Sequence, residues 1–400
     1  MKSHIRRLVV SGEVGQPSDS GATKMLRCFF PCSAFLMVVI AATAQADSLP
    51  GARPVIDASQ YASIQAAFDA IPDNGGVVRL PAGEFEITEP LRLQRGDVRI
   101  EGSGTATHIV NTNQDGQPAL IVQHPDGARV KKEDRLWRVN LANFRITGNE
   151  QSGHGVEAIQ IEEIFIQGVS VSYNGGDGIR LDHCYEDPRV TDCLLTYNKA
   201  VGLNLIGCHD IVVSSNQFEE NNDALHCIDS FNLCMTGNCV DDHLDRGVLI
   251  ENTYGSVLSG NMIEECAGTA LTLDRDCYGI TIGANVIAHN GAGVDLIDAH
   301  GCAVSANTFT IMKTFAMRIG PGSGRITVTG NNFSDSYVGD DKIVRREDDR
   351  SAGGLILEST TAIALSGNIF SGLNTKAVTE KGTVTKVVST GNGAVATEDE

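Results

Sequence analysis

Seven pentapeptides in the middle of the chain repeat one pattern of apolar and polar residues. In each of them the second and fourth residues are apolar, whereas the third and fifth residues vary. An apolar residue at every second position is typical of a β-strand with one buried face. The pattern therefore predicts seven strands, which are GIRLD (178–182), GLNLI (202–206), ALHCI (224–228), GVLIE (247–251), ALTLD (270–274), GVDLI (293–297) and AMRIG (316–320).

An asparagine recurs after a short β-branched run in six consecutive repeats, at spacings of 22, 23, 24, 22 and 24 residues. A fixed period in this range indicates a solenoid. We predict an all-β fold, a single-stranded right-handed parallel β-helix. We expect each asparagine to adopt the left-handed backbone of a sharp corner and to bond its side-chain amide to the next coil. The six residues are Asn216, Asn238, Asn261, Asn285, Asn307 and Asn331.

Residues 57–71 (DASQYASIQAAFDAI) carry apolar side chains at helical spacing, and Ser59 or Asp57 provides a start signal. This pattern predicts a short amphipathic helix that caps the N-terminal end of the solenoid. Its buried face would contain Ile64, Ala67, Phe68 and Ile71.

Residues 1–46 have the pattern of a leader peptide. An apolar run of about 14 residues follows Lys24 and Arg27 and precedes Ala44-Gln45-Ala46, which matches an h-region with its cleavage site. The run is shorter than the about 20 residues of a spanning helix. We predict an exported protein, periplasmic or extracellular, with a β-helix over 47–375, a polar insertion over 334–350 and a polar tail over 376–400.

The acidic charge of the coils limits the classes of partner. The net charge is -19, and residues 150–329 contain 24 acidic and 8 basic side chains, a balance of -16. Nucleic acid binding needs a basic surface and is not expected.

Nine cysteines follow the leader without zinc-like spacing. Cys184 and Cys208 occupy the same place in successive coils, where they could form a disulfide or pack as small buried hydrophobic residues.

The third and fifth residues of the pentapeptides point outward and form two columns along the solenoid. Neighbours in a column are separated by one strand spacing, about 4.8 Å. Glu251 and Asp274 are neighbours, and two carboxylates about 5 Å apart match the pair used by retaining glycosidases. With Asp245, they are the predicted catalytic residues. The alternative is that Glu251 and Asp274 are neighbours only because the surface is acidic, and that the pair has no catalytic function.

The predicted substrate-binding residues are His226, Arg246, Asp295 and Arg318. His226 could bind a sugar hydroxyl or transfer a proton, or be an ordinary exposed histidine. Arg318 beside Asp295 could clamp substrate or form a surface ion pair. No metal is predicted for this chemistry. A calcium-assisted lyase would instead use Asp177 and Asp182 as calcium ligands beside Arg180.

Two segments resemble known families. The run GGVVRLPAGEF (75–85) resembles the opening of the pectate-lyase-like β-helix superfamily. The segment 238–261, NCVDDHLDRGVLIENTYGSVLSGN, is similar to the coils of inulin fructotransferases. This resemblance implies that Asp245 and Glu251 are the acidic site residues. It also implies a neutral fructan substrate, intramolecular transfer that releases a cyclic dianhydride, no metal and a homotrimer.

Three classes of function therefore stay open. The first is cleavage or transfer on a neutral or weakly charged glycan by a carboxylate pair, of the fructotransferase or glycosidase type. The second is a calcium-assisted polysaccharide lyase or uronate epimerase. The third is a non-catalytic scaffold or glycan-binding protein, against which the aromatic content of 5% argues, because sugars stack on aromatic rings.

Overall fold

The computed structural model describes residues 49–334 and 353–395. The leader predicted over 1–46 and most of the insertion predicted over 334–350 lie outside these residues. The chain divides into two compact units, Met1–Pro50 and Gly51–Glu400, and only residues 49 and 50 of the first are described. The second unit is a right-handed parallel β-solenoid of about 13 turns, as predicted.

Three parallel sheets, here called A, B and C, form the walls of the solenoid, and each coil passes through them in that order. The strands of sheet A are Val55–Asp57, Gly76–Arg79, Val98–Glu101, Leu136–Ala142, Ile161–Gln167, Arg189–Thr191, Val212–Ser214, Cys234–Thr236, Val257–Ser259, Cys277–Tyr278, Thr281–Gly283, Ala299–His300, Ala303–Ser305, Gly324–Thr329, Thr361–Ser366 and Thr385–Thr390. Those of sheet B are Gly83–Ile87, Thr107–Asn111, Arg145–Thr147, Ser170–Ser172, Leu194–Thr196, Gln217–Glu219, Cys239–Asp241, Met262–Glu264, Val286–Ala288, Thr308–Thr310, Asn332–Ser334, Ile369–Ser371 and Gly393–Val395. Those of sheet C are Leu91–Leu93, Leu120–Gln123, Val156–Ile159, Ile179–Asp182, Val201–Ile206, Asp223–Ile228, Val248–Glu251, Thr269–Asp274, Ala292–Leu296, Met317–Ile319, Leu355–Glu358 and Val378–Lys381.

The apolar residues of the seven pentapeptides face the interior, as predicted. The second and fourth residues are buried in every one, from Ile179 and Leu181 to Met317 and Ile319. They belong to one hydrophobic core that also contains the inward residues of sheets A and B. Burial of such a side chain contributes about 1.5–3 kcal/mol, so the alternating pattern determines which face of sheet C points outward.

The predicted asparagine ladder lies at the corner between sheets A and B. Each Nδ2 donates to the Oδ1 of the asparagine in the next coil, at 2.9 to 3.0 Å, from Asn216 to Asn392. The predicted left-handed backbone at these asparagines is wrong. The residue before each of the six has the positive φ, and its bend leaves the asparagine side chain inside, pointing along the solenoid axis. The six bending residues are Ser215, Gly237, Gly260, Ala284, Ala306 and Gly330.

The predicted capping helix spans Ile64–Asp69. Its four predicted core residues are buried, but its start signal is Ser63, whose side chain accepts a hydrogen bond from the Ala66 amide. Asp57 instead accepts from the Ser59 amide and begins the 3₁₀ turn Ala58–Gln60. Three further 3₁₀ turns are Gly104–Ala106, Gly127–Arg129 and Lys132–Asp134.

The solenoid continues beyond the boundary predicted at residue 375. Strands Val378–Lys381, Thr385–Thr390 and Gly393–Val395 pair in parallel with the preceding coil. The prediction of a polar tail over 376–400 is therefore wrong for these strands. Their side chains are mostly exposed or half-buried, so backbone pairing extends the sheets where the hydrophobic pattern is weak.

Seven of the nine cysteines in the described residues pack in the core. The nine cysteines of the described residues are free thiols, and seven of them are buried. Burial raises the pKa of the Cys193, Cys266 and Cys277 thiols to about 12. Cys184 and Cys208 therefore act as small buried residues rather than as a disulfide.

His243 interrupts a second asparagine ladder, at the corner between sheets B and C. Asn198 Nδ2 donates to Asn221 Oδ1 at 2.8 Å, and His243 occupies the equivalent position in the next coil. Its side chain is buried, its Nδ1 lies 3.2 Å from the Asn221 carbonyl, and its Nε2 has no hydrogen-bond partner. Burial lowers the pKa of His243 to about 4.

His243 is expected to make the protein less stable in acid. The unfolded chain protonates this histidine below about pH 6.5, whereas the folded chain does so only near pH 4, so unfolding takes up a proton between these values. We expect the free energy of unfolding to fall by roughly 3 kcal/mol from this group between pH 6.5 and 4. Urea unfolding at several pH values should lose this slope in His243→Asn and keep it in His124→Asn. An unchanged slope in His243→Asn would exclude the histidine as its cause.

Candidate functional site

The outer face of sheet C has the register predicted from the pentapeptides. Glu251 and Asp274 are direct partners on adjacent strands, and both are partly buried. The neighbouring column also follows the predicted order, which is Arg180, Asn204, His226, Leu249, Thr272, Asp295 and Arg318. Side chains that are remote in sequence thus share one surface.

Glu251 has a nitrogen donor near each carboxylate oxygen. His226 Nε2 lies 2.7 Å from Glu251 Oε2, and Arg275 Nη1 lies 3.8 Å from Glu251 Oε1. The Glu251 side chain is only 18% exposed. The two contacts orient this carboxylate beside Asp274.

Arg275 was not predicted as a site residue. The connection from Asp274 to Tyr278 is one residue longer than the connection from Glu251 to Tyr254 in the preceding coil. The extra residue is accommodated by positive φ angles at Arg275 and Asp276. The Arg275 amide donates to Asp274 Oδ1 at 2.8 Å, and its guanidinium reaches back over the coil that contains Glu251. The lengthened connection was the only sequence signal for this residue.

Asp245 does not join Glu251, although only six residues separate them. Asp245 lies in the corner before strand Val248–Glu251, and Glu251 is the last residue of that strand. A strand rises about 3.3 Å per residue, so the two side chains lie at opposite edges of sheet C. The structure therefore does not bring these two predicted catalytic residues together. Arg246 lies at the same edge as Asp245, within 3.4 Å of Asp223 and 3.5 Å of Asp245.

Asp295 and Arg318 form a bidentate ion pair. Arg318 Nε and Nη2 donate to the two oxygens of Asp295 at 2.8 and 2.6 Å, and Asp295 is buried. The hydrogen bond to Asp295 raises the pKa of Arg318. Because the guanidinium fork is already occupied, this geometry favours the ion pair over the substrate clamp.

Asp177 precedes strand Ile179–Asp182 and Asp182 ends it, so the two carboxylates lie at opposite ends of the strand and do not form the calcium site considered for a lyase. Asp177 accepts from Asn204 Nδ2 at 3.0 Å and lies 3.4 Å from His154. Asp182 contacts Arg180 at 3.3 Å. The strand between the two carboxylates keeps them too far apart to share a cation at about 2.3–2.6 Å from each.

Two other groups within the described residues bring possible cation ligands together. In each group the ligand atoms lie within 4.8 Å of one another, and the groups are Asp276, Asp298 and His300, and Asp241, Asp242 and Glu265. The first group lies where the chain passes from sheet C into sheet A. Two carboxylates and an imidazole can hold a transition-metal ion, whereas three carboxylates suit a harder cation.

No helix in residues 49–334 and 353–395 has the length and apolar character needed to cross a membrane.

Solved structures with the same fold include an epimerase module, DFA-IIIase and a phage tailspike. The A-module of a mannuronan C-5 epimerase from Azotobacter vinelandii is 14% identical, with a TM-score of 0.55 over 85% of this chain and 99% of that one. The DFA-IIIase of Arthrobacter chlorophenolicus A6, in complex with GF2, is 12% identical, with a TM-score of 0.51 over 73% and 84%. Tailspike protein 3 of bacteriophage CBA120 is 13% identical, with a TM-score of 0.55 over 86% and 61%.

The curated proteins contain no significant match to the sequence. The family described as "Right handed beta helix region" matches residues 98–256 and 186–333, which together form more than half of the chain. These identities to solved structures establish the fold alone, and the family match agrees with the three-sheet solenoid. The chain belongs to the right-handed β-helix family.

Proposed function

We propose that the protein is a carbohydrate-active β-helix enzyme that cleaves or transfers a glycosidic bond on a neutral or weakly charged glycan. The observation that carries this proposal is the pairing of Glu251 with Asp274, with His226 at 2.7 Å from Glu251. The fold of the epimerase module and of DFA-IIIase supports a glycan as the substrate class. The acidic balance of the coils favours a neutral glycan, because a polyanion would be repelled.

The two carboxyl groups have different surroundings and therefore different proposed roles. Glu251 faces two nitrogen donors, which suits a carboxylate that attacks the anomeric carbon or stabilises its developing positive charge. Asp274 then donates its proton to the leaving oxygen as the glycosidic C–O bond breaks. Water, or a hydroxyl of the same glycan, displaces Glu251 and returns a proton to Asp274. His226 and Arg275 position Glu251.

We also propose that the protein is exported, that it forms a homotrimer and that it transfers the bond within one glycan. Export to the periplasm or the medium rests on the leader pattern of residues 1–46. A homotrimer and intramolecular transfer rest on the resemblance of residues 238–261 to inulin fructotransferases. These features would place the reaction on an external neutral fructan.

An assay panel tests the reaction class. The protein is incubated with inulin, levan, dextran, xylan, mannuronan and polygalacturonate, with and without a chelator, and the products are separated by chromatography. We expect small neutral sugars to appear in the presence of the chelator. Ultraviolet absorbance from unsaturated ends that the chelator abolishes would instead favour the lyase, and no turnover would favour a scaffold.

A further inference from the structure

Six side chains with aromatic rings, two of them histidines, form a row where the chain passes from sheet C into sheet A. The row, here called the aromatic row, contains Tyr185, His209, Phe231, Tyr254, Tyr278 and His300. Backbone bridges align its members from His209 to His300 in successive coils. The ring centroids of His209 and Phe231 lie 4.6 Å apart, and those of Phe231 and Tyr254 lie 5.4 Å apart.

Two members of the aromatic row are exposed to solvent, and the other four are half-buried. Phe231 is 40% exposed and Tyr278 is 49% exposed. Arg135 lies over the Tyr185 ring at 5.0 Å, and Arg325 lies over the Tyr278 ring at 5.9 Å. Two exposed rings in one row of half-buried rings form a partly exposed apolar strip, and an apolar strip rimmed by polar residues is a typical feature of a binding surface.

Carboxylates and amides border the exposed rings. Asn232 Nδ2 donates to Asp210 Oδ1 at 2.8 Å, and Asn252 Nδ2 donates to Asp229 Oδ1 at 2.7 Å. The Tyr254 hydroxyl donates to Asn252 Oδ1 at 3.2 Å. These groups leave carbonyl and carboxylate oxygens at the edge of the row, where they can accept hydrogen bonds from hydroxyl groups.

The aromatic row is continuous with the candidate site. Glu251 is three residues before Tyr254, and Asp274 is four residues before Tyr278. Successive coils are about 4.8 Å apart, a step comparable to the length of one sugar unit. A chain that lies along the row therefore passes beside the Glu251–Asp274 pair.

We propose that the aromatic row binds the neutral glycan on which the Glu251–Asp274 pair acts, an inference that rests on the proposed function. A sugar ring has an apolar C–H face and a hydroxyl edge, which match an aromatic ring bordered by carboxylates and amides. Arg135 and Arg325 lie over two rings of the row, and Arg275 lies 3.9 Å from Asp229. The acidic residues outnumber these basic ones, because residues 150–329 carry a balance of -16, and this excess of negative charge disfavours a polyuronate. The row thus selects a neutral chain and aligns it with the catalytic pair.

Leucine substitutions separate binding from packing. Phe231→Leu and Tyr254→Leu keep an apolar side chain but remove the aromatic face. Tyr197→Leu is the matched control, because Tyr197 stacks on Tyr173 at 4.9 Å at the corner between sheets B and C. Binding of inulin, levan, dextran, xylan and mannuronan oligosaccharides is measured by calorimetry, KM and kcat are measured for the substrate found, and thermal midpoints are compared.

We expect wild-type protein to bind a neutral oligosaccharide more tightly than mannuronan. Each row substitution should weaken that binding about tenfold and raise KM more than it lowers kcat. The control should bind normally with a similar change in thermal midpoint. Unchanged binding in both row variants, or tighter binding of mannuronan, would overturn the inference. Normal affinity in the row variants together with an inactive Glu251→Gln would contradict only the proposed binding by the aromatic row. Lost affinity in the row variants together with an active Glu251→Gln would contradict only the proposed catalytic pair.

Discussion

Glu251→Gln is expected to lower the turnover of the neutral glycan on the order of 10³-fold with little change in KM, because the carboxylate acts in the transition state. Glutamine has nearly the same shape and can still contact His226, but its amide neither attacks the anomeric carbon nor carries the negative charge that stabilises it. The loss therefore reports the chemistry rather than the fold. Steady-state kinetics on the substrate found in the panel measure it, with equal thermal midpoints as the test of folding.

Asp245→Asn is the matched control for this experiment. It removes an acidic group from the same coil, six residues away in sequence, but at the opposite edge of sheet C. We expect nearly wild-type turnover. The family resemblance implied that Asp245 and Glu251 act together, so equal losses in the two variants would contradict the arrangement of the site described above.

Asn261→Ala is expected to lower the free energy of unfolding by about 4 kcal/mol. Asn261 Nδ2 donates to Asn285 Oδ1 at 3.0 Å and to the Met235 carbonyl at 3.1 Å. Its Oδ1 accepts from the Asn238 amide and side chain at 3.1 and 2.9 Å. Alanine leaves these buried partners unsatisfied, and each costs about 1–3 kcal/mol before the structure relaxes.

The control for the ladder is Asn332→Ala. Asn332 is exposed, and its Oδ1 accepts only from the nearby Ser334 hydroxyl at 3.0 Å. A change within about 0.5 kcal/mol is expected there. Denaturant unfolding of both variants gives the comparison. A loss at Asn261 as small as the loss at Asn332 would show that the ladder accompanies the solenoid without stabilising it.

The sequence pattern was sufficient to predict the solenoid fold and the register between its coils. The alternation in the pentapeptides specifies which residues of sheet C are buried, and the asparagine spacing specifies where each coil turns. Together they align residues of successive coils, so the partnership of Glu251 with Asp274 follows directly. A slip of one residue in a strand of sheet C would turn its core side chains outward, as it would turn Ile250 outward in strand Val248–Glu251. The hydrophobic pattern excludes that arrangement.

Other features depend on local geometry that a pattern does not encode. Asp245 and Glu251 are close in sequence, but an extended strand separates them. The corner bend belongs to the residue before each asparagine, because the asparagine side chain is needed inside the core. The position of Arg275 depends on one extra residue in a connection, and the last coil pairs through its backbone although its side chains are polar.

The overall aromatic content of the chain did not predict the aromatic row. Its six members recur at spacings of 24, 22, 23, 24 and 22 residues, which is the same period as the asparagine ladder. The aromatic content of 5% suggested few surfaces for sugar stacking. The coil period instead places four of these aromatic residues, together with two histidines, on one corner beside the two acidic residues.

The central claim is that the coils place Glu251 beside Asp274 on the outer face of sheet C, and cross-linking tests it most directly. Adjacent parallel strands place paired Cα atoms about 4.8 Å apart, within the about 4.4–6.8 Å that a disulfide spans. We predict that the double variant Glu251→Cys and Asp274→Cys forms an intramolecular disulfide on mild oxidation, identified by peptide mass spectrometry. Asp245→Cys with Asp274→Cys should form none. A bridge in the second variant and none in the first would contradict the register and the site built on it.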